Sequence, residues 1–529
     1  MLDILVISFL SLLGVAIVSL AIYDVIQKKH AILRNFPVLG HFRYWLERVG
    51  PELRQYIVTD NDEERPFSRD QRSWIYASSK QENNLAGFGS DNEMELQPNY
   101  LIIKHSAFPL PSPHPGDLHY DPQSRIPCAK ILGGHRRREK AFRPQSVVNL
   151  SAMSYGSLSA AAVEAINRGC LLAGCLQNTG EGGVSPHHCH GGELVWQIGT
   201  GYFGCRDSNG NFCMDRLRST IEKHPQVRAI EIKLSQGAKP GAGGILPMAK
   251  ITEEIAAMRG IPRDRDCISP TAHTAFHCAD SMLDFVESIA DTTGLPVGIK
   301  SAVGQIEFWQ DLAKMIAAED RAVDFITIDG GEGGTGAAPL VFSDHIAFPF
   351  KQAFTQVRRA FAEAHAADKV VFIGSGKVGF PESAVFAFAL GCDMVNVARE
   401  AMMAIGCIQA QRCHTGFCPT GVATQNKWLM RGLVPSLKSA RLANYIVTLR
   451  KELLAISRAC GLEHPALLTP DYLAILDDRL GSNSLADLFG SSEFDLRPSD
   501  EDRARIRRLM EELPPVSEIQ SPGATPAVS

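Results

Sequence analysis

Val370-Val-Phe-Ile-Gly-Ser-Gly-Lys-Val-Gly379 is an apolar run ending in a glycine pattern, and its reading decides the fold. Gly374 to Gly379 matches G-x-G-x-x-G, the fingerprint of a dinucleotide-binding sheet. That fold wants the pattern on the first strand of a βαβ unit, with an acidic residue about 20 positions on. Here candidate strands already precede it at 147–153, 175–178, 228–234, 266–269, 296–302 and 323–329, and another follows at 394–399. Helical patterns such as Ser157–Ala173, Ser281–Asp291 and Pro381–Leu390 lie between them. Strands alternating with helices are the signature of parallel βα units. The count predicts an α/β fold, a (β/α)8 TIM barrel whose site gathers on the loops after the strands. The runs at 175–178 and 266–269 are short, and periodicity alone does not separate such runs from buried helix.

In a barrel, the loops after strands seven and eight commonly hold phosphate, so Gly374, Gly376 and Arg399 suit one phosphate of a mononucleotide. Just beyond lies Cys407-x5-Cys413-x4-Cys418-Pro419 in a chain of 13 cysteines. Three thiolates suit an iron–sulfur cluster with three irons; a zinc site would need a fourth ligand such as His414, and ordinary buried cysteines are the remaining reading. A cluster beside a phosphate loop points to flavin mononucleotide as the group receiving electrons. Other post-strand segments fit a redox barrel. Ser151, Ala152 and Met153 open a loop of small groups, and Asn178-Thr-Gly-Glu-Gly-Gly183 puts Glu181 in a glycine loop. Lys233, Gln236 and Lys239 end a strand with two cations, and Lys300 could offset charge on a reduced flavin. Each taken singly is as readily an ion pair or a solvated loop residue. His187, His188 and His190 read as a polar loop sooner than as a metal site.

These residues resemble the FMN-binding synthase domain of glutamate synthase. The resemblance rests on SAMSYGS (151–157), NTGEGG (178–183), IKLSQGAKPG (232–241), ISP with His273, GGTGA (333–337) and the cysteine segment through Gln425. It implies a [3Fe-4S] cluster on Cys407, Cys413 and Cys418. It implies FMN among Ser151, Ala152, Met153, Asn178, Lys300, Gly333, Gly334, Thr335, Gly336, Gly374, Gly376 and Arg399. Glu181, Lys233, Gln236 and Lys239 would then line a pocket for 2-oxoglutarate or iminoglutarate. The implied activity is reductive amination, with Glu181 carrying a proton, the two lysines holding carboxylates and Gln236 donating a hydrogen bond. The chain departs from the family pattern at Pro240-Gly-Ala-Gly-Gly244, at Pro270-Thr-Ala-His-Thr-Ala275 and at Glu332, all near the expected substrate. N-methylglutamate formation, oxidation of an amino or hydroxy acid, and a membrane electron-transfer subunit are therefore the alternatives. No amidotransferase nucleophile and no pyridine-nucleotide domain is read in the chain. Ammonia is expected from elsewhere, and electrons from a ferredoxin-like or reductase donor.

Outside the barrel, Ile4 to Tyr23 carries no charge, and at helical rise it spans about 30 Å, the hydrocarbon thickness of a bilayer. With Lys28, Lys29 and Arg34 following, it is expected to be a single-pass anchor of the cytoplasmic membrane, the barrel on the cytoplasmic side, sooner than a cleaved signal peptide, whose basic start and small-residue exit it lacks. The scattered cysteines agree with a reducing compartment. A net charge of −5 gives no case for a nucleic-acid partner. His135-Arg-Arg-Arg-Glu-Lys140 is expected on a solvated face. The expected organisation is an anchor at 1–27, an irregular extension at 28–125 wrapping the barrel, and the barrel with its cysteine segment at 126–460. A helical extension at 461–513 and a disordered tail at 514–529 complete it.

Overall fold

The computed structural model describes residues 2–117, 120–489 and 499–513. It separates into a unit of residues 1–72 and a unit of residues 73–529. The expected tail at 514–529 lies outside the described residues. In the first unit, helix Leu2–Ile26 is followed by a short helix, Ala31–Asn35, and a longer one, Leu39–Leu53, which ends in a π turn, Arg54–Val58. Asp3–Ile26 is long and apolar enough to cross a membrane.

The second unit holds a closed parallel barrel of eight strands. They are β1 (Val148–Leu150), β2 (Gln177–Asn178), β3 (Leu194–Ile198), β4 (Val227–Lys233), β5 (Val297–Ser301), β6 (Phe325–Asp329), β7 (Val371–Ser375) and β8 (Met394–Val397). Each strand pairs with the next, and β8 returns to β1 with Val395 opposite Val148 and Val397 opposite Leu150. The barrel is as the sequence predicts, with one exchange. The run at 266–269 is not a barrel strand: Cys267–Ile268 pairs antiparallel with Ile245–Leu246 in an excursion between β4 and β5. The missing place is taken by β3, which follows β2 with only a 3-10 turn, Pro186–His188, between them.

Cys128, Leu132 and Phe142 pack with Val195, Ala229, Phe325, Val371 and Met394 in one buried cluster. Leu132 and Phe142 exchange backbone hydrogen bonds of 2.9 and 3.1 Å. Between them lies the basic run, whose His135, Arg137, Glu139 and Lys140 are exposed as expected of a solvated face, while Arg138 turns inward. Arg138 is buried and pairs with Asp324 and Glu287 at 3.0 and 2.6 Å, and Arg136 also reaches Glu287. Asp324 in turn accepts from the Val297 N–H that starts β5.

Helix Ala160–Ala173 begins where the Ser159 hydroxyl accepts from the Ala162 N–H, and stops at Gly174 in the left-handed region. It packs on the long helix Pro435–Ala459, whose buried Arg450 donates to the Ala173 carbonyl. Residues 106–110 run against the carboxyl end of that long helix, with the Ser106 and Leu110 N–H groups donating to the carbonyls of Ala459 and Arg458. The segment at 461–513 is more than helical. Leu473–Leu476 pairs with both Tyr100–Ile103 and Ser482–Ser484 in a three-stranded antiparallel sheet.

Candidate active site

Alternate residues of a strand face the same side, so Glu231 and Lys233 on β4 both turn toward the barrel axis. Lys233 lies at the strand's carboxyl end, opposite Lys300 of β5. Its ammonium donates to Glu181 Oε1 at 2.7 Å and to Gln236 Oε1 at 2.8 Å, so three of the expected catalytic residues form one hydrogen-bonded group. The fourth, Lys239, donates to the Ala337 carbonyl at 2.9 Å, tying the loop after β4 to the loop after β6. Burial works to raise the Glu181 pKa, but Lys233, Lys239 and Arg259 outweigh it and hold the group below its ordinary value. Burial, with Lys233 adding repulsion, brings Lys239 down to about 8. The loop carrying Glu181 depends on two close approaches. Gly180 has φ +66, and a Cβ there would sit 2.5 Å from the Ser154 nitrogen; a Cβ at Gly199 would sit 2.5 Å from Glu181 Oε2.

Asn178 Nδ2 donates to the buried Glu231 carboxylate at 2.7 Å, and its Oδ1 accepts from the Gly180 N–H at 3.0 Å. Glu231 also accepts from Gln197 of β3 and Thr327 of β6, each at 2.7 Å. The sequence reading missed this carboxylate and, of its donors, Gln197 and Thr327. Its signal was the inward parity shared with Lys233.

Lys300 is buried 3.5 Å from both Ser151 Oγ and Asp329 Oδ2, and Ser151 Oγ lies 3.3 Å from Ser375 Oγ at the end of β7. Asp329 Oδ2 accepts from the Gly237 N–H at 2.9 Å. Ala152 and Met153 continue the loop from Ser151, and Gly180 packs on the Met153 backbone. Gly374 and Gly376 flank Ser375, and Arg399 opens the helix after β8 and donates to the Glu332 carbonyl. Arg399 also packs on Gly334, while Gly336 approaches Ser157. Gly333 N–H bonds back to the Gly330 carbonyl, and Thr335 Oγ1 to the Ala337 carbonyl. Glu332 accepts from the Phe350 N–H at 2.8 Å, and burial raises its pKa. The expected cofactor residues therefore share the carboxyl end of the barrel, where glycine backbone, Lys300 and Arg399 offer what a phosphorylated flavin needs.

Cys407, Cys413 and Cys418 lie on one loop after this helix. Burial brings Cys407 up to about 12, with Cys413 and Cys418 adding to the rise, and Cys413 is raised by burial and by Cys418. The thiols are thus close enough to oppose one another's ionisation, a charge set that a metal would relieve. Among the described residues no three His, Cys, Asp or Glu side chains converge on one metal-holding point, so this donor set fits a cluster in chemistry and loop position only. The loop is fastened to the mouth. Lys250, unforeseen from the sequence and buried, donates to the carbonyls of Ser157 and Cys413 at 2.5 and 3.3 Å. Gln425 Nε2 donates to the carbonyls of Gly156 and Leu158, and Tyr76 donates to the Cys407 carbonyl at 2.9 Å.

Two further groups join the site. Arg259 is buried against Gly182 and donates to the Tyr155 carbonyl at 2.9 Å. His273 bridges the Lys233 carbonyl at 2.9 Å and the Tyr202 hydroxyl at 3.0 Å, and burial lowers its pKa. The other histidines disperse. His187 meets Glu254, His188 bonds Ser185, and His190 lies 3.9 Å from Glu164, so they share no centre.

The family model for the conserved region in glutamate synthase matches residues 117–463. A "glutamate synthase large subunit-like protein YerD" of Bacillus subtilis is 36% identical over 481 residues, covering 85% of this chain and 91% of that protein. An "archaeal glutamate synthase [NADPH]" of Methanocaldococcus jannaschii is 34% identical over 319 residues, 60% of this chain and 59% of that protein. The chain thus spans little more than half the length of this second relative. Among solved structures, the flavin-binding domain of baker's yeast flavocytochrome b2 is similar at 16% identity and a TM-score of 0.43, over 81% of this chain and 88% of that one.

Proposed function

This chain belongs to the glutamate synthase family, and from that membership we propose a membrane-anchored oxidoreductase that joins ammonia to 2-oxoglutarate or a near relative, using FMN and a [3Fe-4S] cluster. The observation that carries the reading is the group of Glu181, Lys233 and Gln236, with Lys239 near enough to act on Glu181, at the mouth of a family barrel. Lys233 and Lys239 supply two cations to a dicarboxylate, and Gln236, whose oxygen is engaged by Lys233, keeps its amide hydrogens for the substrate. Glu181 rests as a carboxylate and takes a proton as the amine adds. Lys239, at about 8, is charged at neutral pH yet releases a proton readily.

Ser151, Asn178, Lys300, the 333–336 loop, Gly374, Gly376 and Arg399 would hold FMN, and Cys407, Cys413 and Cys418 the cluster. When bound, these groups supply two-electron reduction at the substrate from electrons delivered singly by a ferredoxin-like or reductase partner. Leu2–Ile26 would anchor the chain, with Lys28, Lys29 and Arg34 keeping the barrel on the cytoplasmic side.

The test is turnover of the full chain with reduced mediator, 2-oxoglutarate and ammonia. Glutamate is the expected product, and reduction of the cofactors with no amino acid formed would overturn the reading in favour of an electron carrier. The pocket favours one second reading. Ala242 stands where the family has a carboxylate, in the same loop as Lys239, which removes charge beside the substrate and suits a bulkier amine such as methylamine. Methylamine in place of ammonia is therefore the companion assay.

A further inference from the structure

We propose that helix Leu39–Leu53 with its π turn Arg54–Val58 lies flat on an anionic lipid surface, its apolar face among the headgroups and upper acyl chains, as a second membrane contact beside the anchor. The inference deepens the proposed anchoring of Leu2–Ile26 and rests on a different segment of the same unit.

The periodicity comes first. Leu39, Phe42, Leu46, Val49, Leu53 and Tyr56 recur at three- and four-residue intervals, with Trp45 beside them, which at about 100° per residue makes one continuous stripe. Arg43, Glu47, Arg48 and Arg54 fall on the other side, where Arg43 and Glu47 pair at 2.8 Å. In a water-soluble domain such a stripe faces a core. Here it faces outward: Leu39 is 76%, Phe42 61% and Trp45 55% exposed, and Leu46, Leu53, Tyr56, Ile57 and Val58 are exposed as well. Phe42 and Trp45 stack at 5.7 Å, giving the stripe a broad aromatic border of the kind that seeks the headgroup level.

What covers the stripe follows from where the helix is tied. The Asp24 carboxylate, in the last turns of the membrane-length helix, accepts from the Val38 N–H at 2.9 Å and engages His41 Nε2 at 2.9 Å. The amphipathic helix is thereby fixed at its start to the end of the apolar one. If Leu2–Ile26 crosses a bilayer, Leu39 is held at the bilayer surface. Charge agrees with a lipid partner. Residues 27–58 carry Lys28, Lys29, Arg34, Arg43, Arg48 and Arg54 against Glu47 and Glu52, although the chain as a whole is at −5. Juxtamembrane cations of this kind favour an anionic leaflet, and an apolar face with a cationic flank is the composition of an in-plane helix.

The test uses the full chain with vesicles of phosphatidylcholine and phosphatidylglycerol containing a lipid that carries a bromine or spin-label quencher high on its acyl chain. Wild type is compared with Trp45→Phe, which isolates Trp45 from the other tryptophans. The expected result is loss of most of the Trp45 emission in quencher vesicles, weaker when phosphatidylglycerol is omitted. The double variant Phe42→Asp, Leu46→Asp is expected to abolish it while far-ultraviolet dichroism stays unchanged. Equal quenching of wild type and Trp45→Phe overturns the proposal. Alkaline extraction of the same samples reports separately on the anchor. Release by alkali with quenching of Trp45 retained removes the spanning helix and leaves the surface helix standing.

Discussion

The ammonium of Lys233 is held 2.7 Å from the carboxylate of Glu181, so the cation most suited to substrate is already committed to the residue expected to carry the proton. The proposed dicarboxylate would compete with Glu181 for that charge. Lys233→Met keeps most of the side chain's bulk and removes the cation. Flavin should stay bound while reoxidation of the reduced protein by 2-oxoglutarate slows by about 10²-fold or more, the scale of a lost electrostatic stabiliser. Glu181, half-buried and without its partner, should then titrate upward. Rapid-mixing kinetics decide it, and a wild-type rate would make the pair structural.

Lys239 sets a pH limb. Burial and Lys233 bring it to about 8, against about 10.4 in an unfolded chain. Above pH 8 the native state has released a proton that the unfolded state keeps, so this group's contribution to stability rises between those values. Substrate binding runs the other way. The KM for the 2-oxo acid should climb above pH 8 as the ammonium is lost, and Lys239→Arg should flatten the climb. A pH-independent KM in wild type would remove Lys239 from the pocket.

Glu231 accepts from Asn178, Gln197 and Thr327 inside the barrel. Glu231→Gln presents an amide hydrogen to donors that need an acceptor, and should cost about 1–3 kcal/mol in unfolding free energy, the penalty of a buried unsatisfied group. Denaturant midpoints measure it. Asn178→Ala should cost less, and should loosen the Gly180–Glu181 turn enough to lower kcat.

Cys413→Ser is expected to remove the cluster and leave flavin bound, because the phosphate-side loops are separate from the thiol loop. Wild type should carry about three irons per chain. Stoichiometric zinc with no acid-labile sulfide would replace the iron–sulfur assignment.

Deleting residues 1–27 is expected to leave both cofactors in place and to convert an integral protein into one released by salt. Protease digestion of the barrel from the non-cytoplasmic face of intact membranes would reverse the proposed topology.

The barrel was legible because strands such as 228–234 and 323–329 are apolar runs followed by glycine, each next to a helical pattern. β3 was not, because Leu194-Val-Trp-Gln-Ile198 follows β2 without a helix and so breaks the alternation being counted. The run at 266–269 has the same local character but pairs with Ile245–Leu246, and long-range pairing is absent from a local pattern. At the site, glycine loops and cations marked Glu181, Lys233 and Lys300. Lys250 and Arg259 carried no motif, since what recruits them is the backbone carbonyls of distant loops.

The excursion between β4 and β5 carries Gln236, Lys239, Ala242, Arg259 and His273, and its Ile245–Leu246 and Cys267–Ile268 ladder stands outside the barrel ring. Substitution there would alter the proposed substrate pocket while leaving the register of the barrel strands as it is. On the proposed reading, the excursion is where this enzyme could take a new amine or oxo acid with its barrel strands unaltered.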